Sequence, residues 1–135
     1  MATKEDLDRI REFFKGDRYA TQTGAVIDEI DDHYAKCSLV ITDDHKNAMG
    51  GVMGGVYFTL ADFAFAVASN WQSPGIVGLN MDVSYIGVPR SGKLIAEAKL
   101  VKESKHIATY QVEIRDDLGN ITTIVQCLGF NTRNR

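Results

Sequence analysis

One stretch of the sequence concentrates residues suited to carbonyl chemistry: His45, Asn47, Gly50, Met53, Gly54 and Gly55, followed by Asp62. A helix beginning near Gly54 leaves its first N–H groups without intrahelical partners. Its macrodipole adds roughly half a positive charge at the same end. Glycine has no side chain to hold a ligand off, so a carbonyl oxygen can approach the main chain closely. One such donor is worth ~2.7–4 kcal/mol toward an oxyanion in a transition state. The same glycines would serve equally well in a plain loop entering a helix.

Asp62 stands among Leu60, Ala61, Phe63, Ala64 and Phe65. An unpaired ionised carboxylate in apolar surroundings is costly, so its pKa is expected to rise unless a donor meets it. A carboxylate raised in this way suits general-base work or nucleophilic attack. The alternatives are a hydrogen bond to nearby backbone, or a place on an exposed strip of the helix. Gly54 and Asp62 are eight positions apart, which along one helix is ~12 Å. One substrate carbonyl cannot touch both. If they cooperate, Asp62 must reach the Gly54 of a second copy, and antiparallel two-fold pairing of the helices would achieve this. The expectation is an obligate homodimer with composite sites, alone or as half of a homotetramer.

Other chemistries find no support. The chain has no G-x-S-x-G, so a nucleophile-elbow hydrolase is excluded. Gly50-Gly51-Val52-Met53-Gly54-Gly55 lacks both the Lys-Ser/Thr ending of a P-loop and the G-x-G-x-x-G spacing. His33, His45 and His106 are scattered, with no H-x-x-x-H or C-x-x-C, so no metal site or cofactor is expected. Asp43-Asp44-His45 reads as a solvated turn. Cys37 and Cys127 fall inside alternating segments and read as buried thiols.

These residues need a frame. Met53 to Trp71 is apolar almost all round, with Asp62 its only charge. Gly54, Gly55, Ser69 and Asn70 interrupt it and no cationic flank follows, so it reads as the central helix of a core, about 54–71, and not as a membrane span. Before it, Thr3 can cap a short amphipathic helix, about 3–15, with Asp6 in the capping-box position and Leu7, Ile10, Phe13 and Phe14 on one face. Residues 24–41 alternate with a turn at Asp31-Asp32, placing Ala35, Cys37, Leu39 and Ile41 on one side. After it, a strand covers about 75–85, and alternating runs follow at 94–101, 108–115 and 121–128. Ser104-Lys105-His106 and Asp116 to Asn120 are short enough for hairpins. The order describes an α+β fold, an antiparallel sheet wrapped around one long helix.

With 135 residues, 44% of them hydrophobic, the chain is expected to form a single domain, 1–135. A net charge of −3 argues against nonspecific nucleic-acid binding. Two cysteines and a charged N-terminus point to a cytoplasmic protein.

Taken together these residues resemble the hotdog-fold acyl-CoA thioesterases of the phenylacetate-degradation type. That family's pattern, N-x-x-G-x-x-H-G-G-x-x-x-x-L-x-D, is met by Asn47, Gly50, Gly54, Gly55, Leu60 and Asp62. Asn80 to Tyr85 and Pro89 to Gly92 look like the family's next strand and loop, and the likeness runs from about Val26 to Phe130. It implies hydrolysis of acyl-CoA at a dimer interface, without a cofactor. Gly54, with Gly55, would donate N–H to the thioester carbonyl, and Asn47 would hold that carbonyl or the water. Asp62 of the partner would activate the water or attack directly. His45, Met53, Tyr57, Phe58, Gly78 and Asn80 would line the substrate, and Arg90, Lys93 and Lys105 would meet the CoA phosphates. The family's usual His is Met53 here, and a Ser or Thr of several relatives falls on Gly78. Those two departures keep open a second reading, a catalytically weak acyl-CoA or acyl-group binding protein of the same fold.

Overall fold

The capping box at Thr3 forms: Asp6 N–H donates to Thr3 Oγ1 at 3.0 Å and Thr3 N–H donates to Asp6 Oδ2 at 2.9 Å. Helix α1 therefore spans Lys4–Phe14 in the computed structural model, which describes residues 1–134. Ile10 and Phe14 are buried, while Phe13 leaves the expected stripe and is 60% exposed. A five-residue helix that the sequence pattern does not announce, α2 at Arg18–Gln22, follows and packs on the long helix.

That long helix, α3, covers Gly54–Asn70. Six strands surround it: β1 Val26–Asp31, β2 Tyr34–Val40, β3 Ile76–Tyr85, β4 Lys93–Glu103, β5 Ile107–Asp116 and β6 Ile121–Asn131. All pairings are antiparallel, in the order β1-β2-β4-β5-β6-β3. The sheet floor beneath α3 is made of small side chains, since Ala35 lies opposite Ala98 and Cys37 opposite Ala96. With no bulk there, Leu60, Ala61, Ala64 and Val67 close down until none is exposed. The α+β arrangement expected from the sequence, with an added N-terminal helix, is the one observed.

Two features matter for the site. First, α3 is not apolar on every side: Gly55, Phe58 and Asp62, at helical spacing, form an exposed strip. The enclosed carboxylate expected at Asp62 is corrected accordingly. Second, β3 is an edge strand bonded only to β6, with a bulge between Gly78 and Asn80 and with Val77 and Leu79 52% and 58% exposed. Asn70 ties the end of α3 to the start of β3, its Oδ1 accepting from Gly75 N–H and Ile76 N–H at 2.9 and 2.8 Å. Among the described residues, no helix is long and apolar enough to cross a membrane.

Candidate active site

The loop before α3 is held by its own side chains. Lys46 and Val52 form an antiparallel bridge, and Gly50 takes a φ of +89° that a side chain would strain. Asn47 Oδ1 accepts from Met49 N–H at 3.0 Å and from Gly51 N–H at 3.1 Å. Its oxygen is engaged in the loop, leaving the Nδ2 amide as the group that can meet a ligand.

His45 has a different task from the one expected of it. It is 4% exposed, and its Nδ1 accepts from Thr42 N–H at 2.9 Å. The ring proton then lies on Nε2, which donates to the Thr23 carbonyl at 2.7 Å. Its own carbonyl accepts from Met53 N–H at 2.9 Å. His45 thus hangs the loop from the core and offers no free nitrogen to a substrate. Replacing it by Ala is expected to orphan the Thr42 and Thr23 groups and lower stability by about 1–3 kcal/mol. A denaturant midpoint unchanged from wild type would contradict this.

Helix α3 opens with Met53 as N-cap, at φ −65° and ψ 139°. No side chain caps this end among the described residues, so the first N–H groups, those of Gly54 and Gly55, face outward unclaimed. Met53 is 58% exposed beside them and brings no donor. Tyr85, at the end of β3, is a neighbour that the sequence alone does not assign to the site. Its hydroxyl donates to the Gly54 carbonyl at 3.1 Å and its ring meets that of Tyr57 edge-on at 5.8 Å. A Cβ placed on Gly54 would lie 3.1 Å from the Tyr85 ring.

Two turns further along, Asp62 lines a cleft of about 440 Å³ between α2 and α3, with Asp17, Arg18, Tyr19, Phe58, Thr59 and Phe63. The cleft walls take away part of the carboxylate's water, and the charge of Asp17 adds repulsion; together they raise the Asp62 pKa above its ordinary value. The four aromatics of α3 divide. Phe58 and Phe63 line this cleft, whereas Phe65 packs against Tyr110 at 5.5 Å and Tyr57 against Tyr85. No group of three or more His, Cys, Asp or Glu able to hold a metal occurs among the described residues.

A glycine-opened helix followed by an in-helix aspartate, wrapped by this sheet, has counterparts among known proteins. Residues 49–122 match the thioesterase superfamily. The chain belongs to that superfamily. A putative esterase of Archaeoglobus fulgidus is 31% identical over 89% of this chain and 79% of its own. The acyl-coenzyme A thioesterase PaaI of Escherichia coli is 28% identical over 75% of this chain and 73% of its own; the solved structure of that PaaI protein superposes with a TM-score of 0.87, 22% identity and 96% coverage of both chains. A mutant of the phenylacetic acid degradation protein PaaI from Thermus thermophilus gives a TM-score of 0.79 at 28% identity, covering 84% of this chain and 98% of its own. The fold is the hotdog fold, and the chain is a PaaI-like hotdog thioesterase by family.

Within one chain of this thioesterase the expected site residues fall into separate groups. Asn47, Met53, Gly54 and Gly55 share one end of the molecule with the 86–92 loop, where Ile41 N–H donates to the Gly92 carbonyl at 2.8 Å. Arg90 and Lys93 stand at that end, the loop being pinned by Arg90 N–H donating to Asp116 Oδ2 at 2.8 Å. Asp116 also accepts from Leu118 N–H, Asn120 N–H and Asn120 Nδ2, which holds its carboxyl down at about 2. Lys105 is elsewhere. It sits in the turn after Glu103, at the far end of the 11-residue β4, roughly 33 Å from Lys93 at ~3.3 Å per residue. Gly78 and Asn80 flank the bulge in β3, and a Cβ added to Gly78 would meet the Phe65 ring at ordinary contact distance.

Proposed function

We propose that this thioesterase hydrolyses acyl-CoA to free acid and CoA at two equivalent sites of a homodimer, each joining Gly54 of one protomer to the partner's Asp62. One observation carries the reading. The open helix end and the exposed carboxylate lie on the same straight helix, about 12 Å apart, too far for one thioester to span within a chain. The unpaired β3 edge, with exposed Val77, Leu79, Tyr85 and Ile86, offers a second copy a strand to pair with.

In such a site the thioester oxygen takes hydrogen bonds from Gly54 N–H and Gly55 N–H, with Asn47 Nδ2 beside them. The partner's Asp62 removes a proton from water as the water oxygen bonds to the carbonyl carbon. The C–S bond then breaks, the electron pair stays on sulfur, and the CoA thiolate takes the proton held by Asp62 to leave as the thiol. If Asp62 attacks directly, its oxygen bonds to the carbonyl carbon as the C–S bond breaks and CoA leaves as the thiolate; water then cleaves the mixed anhydride, releasing the acid and regenerating the Asp62 carboxylate. The acyl group occupies the cleft walled by Tyr19, Phe58 and Phe63, whose volume suits an aryl or medium acyl group. Arg90 and Lys93 meet the CoA phosphates. Antiparallel pairing along β3 would also bring the partner's Lys105 turn round to the Gly54 end.

A panel of CoA thioesters assayed for released thiol tests the activity; binding without turnover on every member would favour the acyl-CoA binding reading, for which Met53 in place of a donor is the argument. Sedimentation is expected to give two or four times the 14.9 kDa chain mass. Leu79→Lys on the edge strand is expected to shift the protein toward monomer and to reduce turnover in parallel. A fully active monomer would refute the shared site.

A further inference from the structure

Asp17 opens helix α2 in the position where an aspartate usually caps, yet its side chain makes no capping hydrogen bond. It lines the same cleft as Asp62. Among the described residues neither carboxylate has an ion-pair or hydrogen-bond partner. Two like charges facing one partly dehydrated cleft stabilise nothing in the folded chain, and a capping bond forgone on α2 adds to the cost.

We propose that Asp17 is a positioning residue for hydrolysis, a second carboxylate lining the same cleft as the Asp62 that takes a proton from water. This rests on the reading of Asp62 as the base. The groups that face Asp62 are few. From α2 come Asp17, Arg18 and Tyr19 along the cleft, and from β6 comes Cys127, whose thiol is itself pushed up to about 12, chiefly by burial and then by the Asp62 charge. Arg18 shares the cleft but forms no ion pair with either acid. Among the described residues, after burial itself, the charge of Asp17 is what raises Asp62. The Asp17 carboxyl is itself raised by burial.

The test is the pH dependence of kcat/KM, whose acid limb reports the ionisation of the base in the free enzyme. With Asp17→Asn the limb is expected to move to lower pH, with a plateau kcat reduced only a few-fold as the base weakens. Asp17→Glu, which keeps the charge, is expected to return the limb toward wild type. Thermal unfolding of both variants checks that α2 remains in place. An acid limb that stays put in Asp17→Asn, while Asp62→Asn abolishes turnover, overturns the role of Asp17 and leaves the base intact. Full activity of Asp62→Asn overturns the base itself, whatever Asp17 does.

Discussion

Asp62→Ala and Asp62→Asn are each expected to lower kcat/KM on the best thioester by about 10²–10⁴-fold, the usual share of a positioned base, while the protein becomes no less stable. The second half of that expectation comes from the pKa. Asp62 is raised in the folded chain, so between its unfolded value near 3.8 and its folded value the native state binds more protons than the unfolded state. Stability therefore falls as pH rises through that window, and above it the full penalty persists. Removing the charge at pH 7 removes the penalty, so the Tm of Asp62→Asn should lie at or above wild type, and the gap should close as pH falls below about 4. Loss of activity together with a higher Tm identifies a functional acid held against the interest of the fold. A variant that stays fully active would end the role given to Asp62.

The second large effect is expected at Gly54. Proline there removes one N–H and adds a ring whose Cβ approaches Tyr85; the backbone accepts it, because the first helical position tolerates proline well and Met53 before it already has the extended φ and ψ that proline requires. Losing one oxyanion donor is expected to cost ~10²–10³-fold in kcat. The control is Gly54→Ala, which brings a Cβ to the same 3.1 Å approach on Tyr85 but keeps its N–H. If Ala and Pro lose activity equally, the loss belongs to the Tyr85 contact and the donor assignment fails. If Pro alone is inactive, the donor is the main chain.

How much of this is legible in the sequence depends on whether a residue's partners are local. Thr3 and Asp6 are three apart and the capping box can be read directly; so can the alternating runs of β4, β5 and β6. Helix α2, at five residues, is too short to show a period, and Asp17 goes unnoticed with it. The apolar neighbours of Asp62 suggest enclosure, but Gly55, Phe58 and Asp62 recur at helical spacing, and that spacing is the available sign of an exposed strip. His45 reads as a substrate contact because its partners, Thr23 and Thr42, reach it only through the fold. Lys105 groups with Arg90 and Lys93 because a sequence does not say which end of a sheet a turn occupies. Tyr85 stands out within its motif, yet its contact with Gly54 spans 31 positions.

The strand order has a consequence for how the chain acquires its shape. β3 is bonded to β6 alone, so the ladder beside α3 cannot close until every later strand has been made. On a ribosome, the greasiest helix and the β3 ribbon emerge early, and β3 stands without its ladder partner until the chain has been made through Asn131, at roughly 5–20 residues per second. Self-association during that interval is the hazard the topology creates, and chaperone demand for this chain should fall on nascent lengths that end before Ile121.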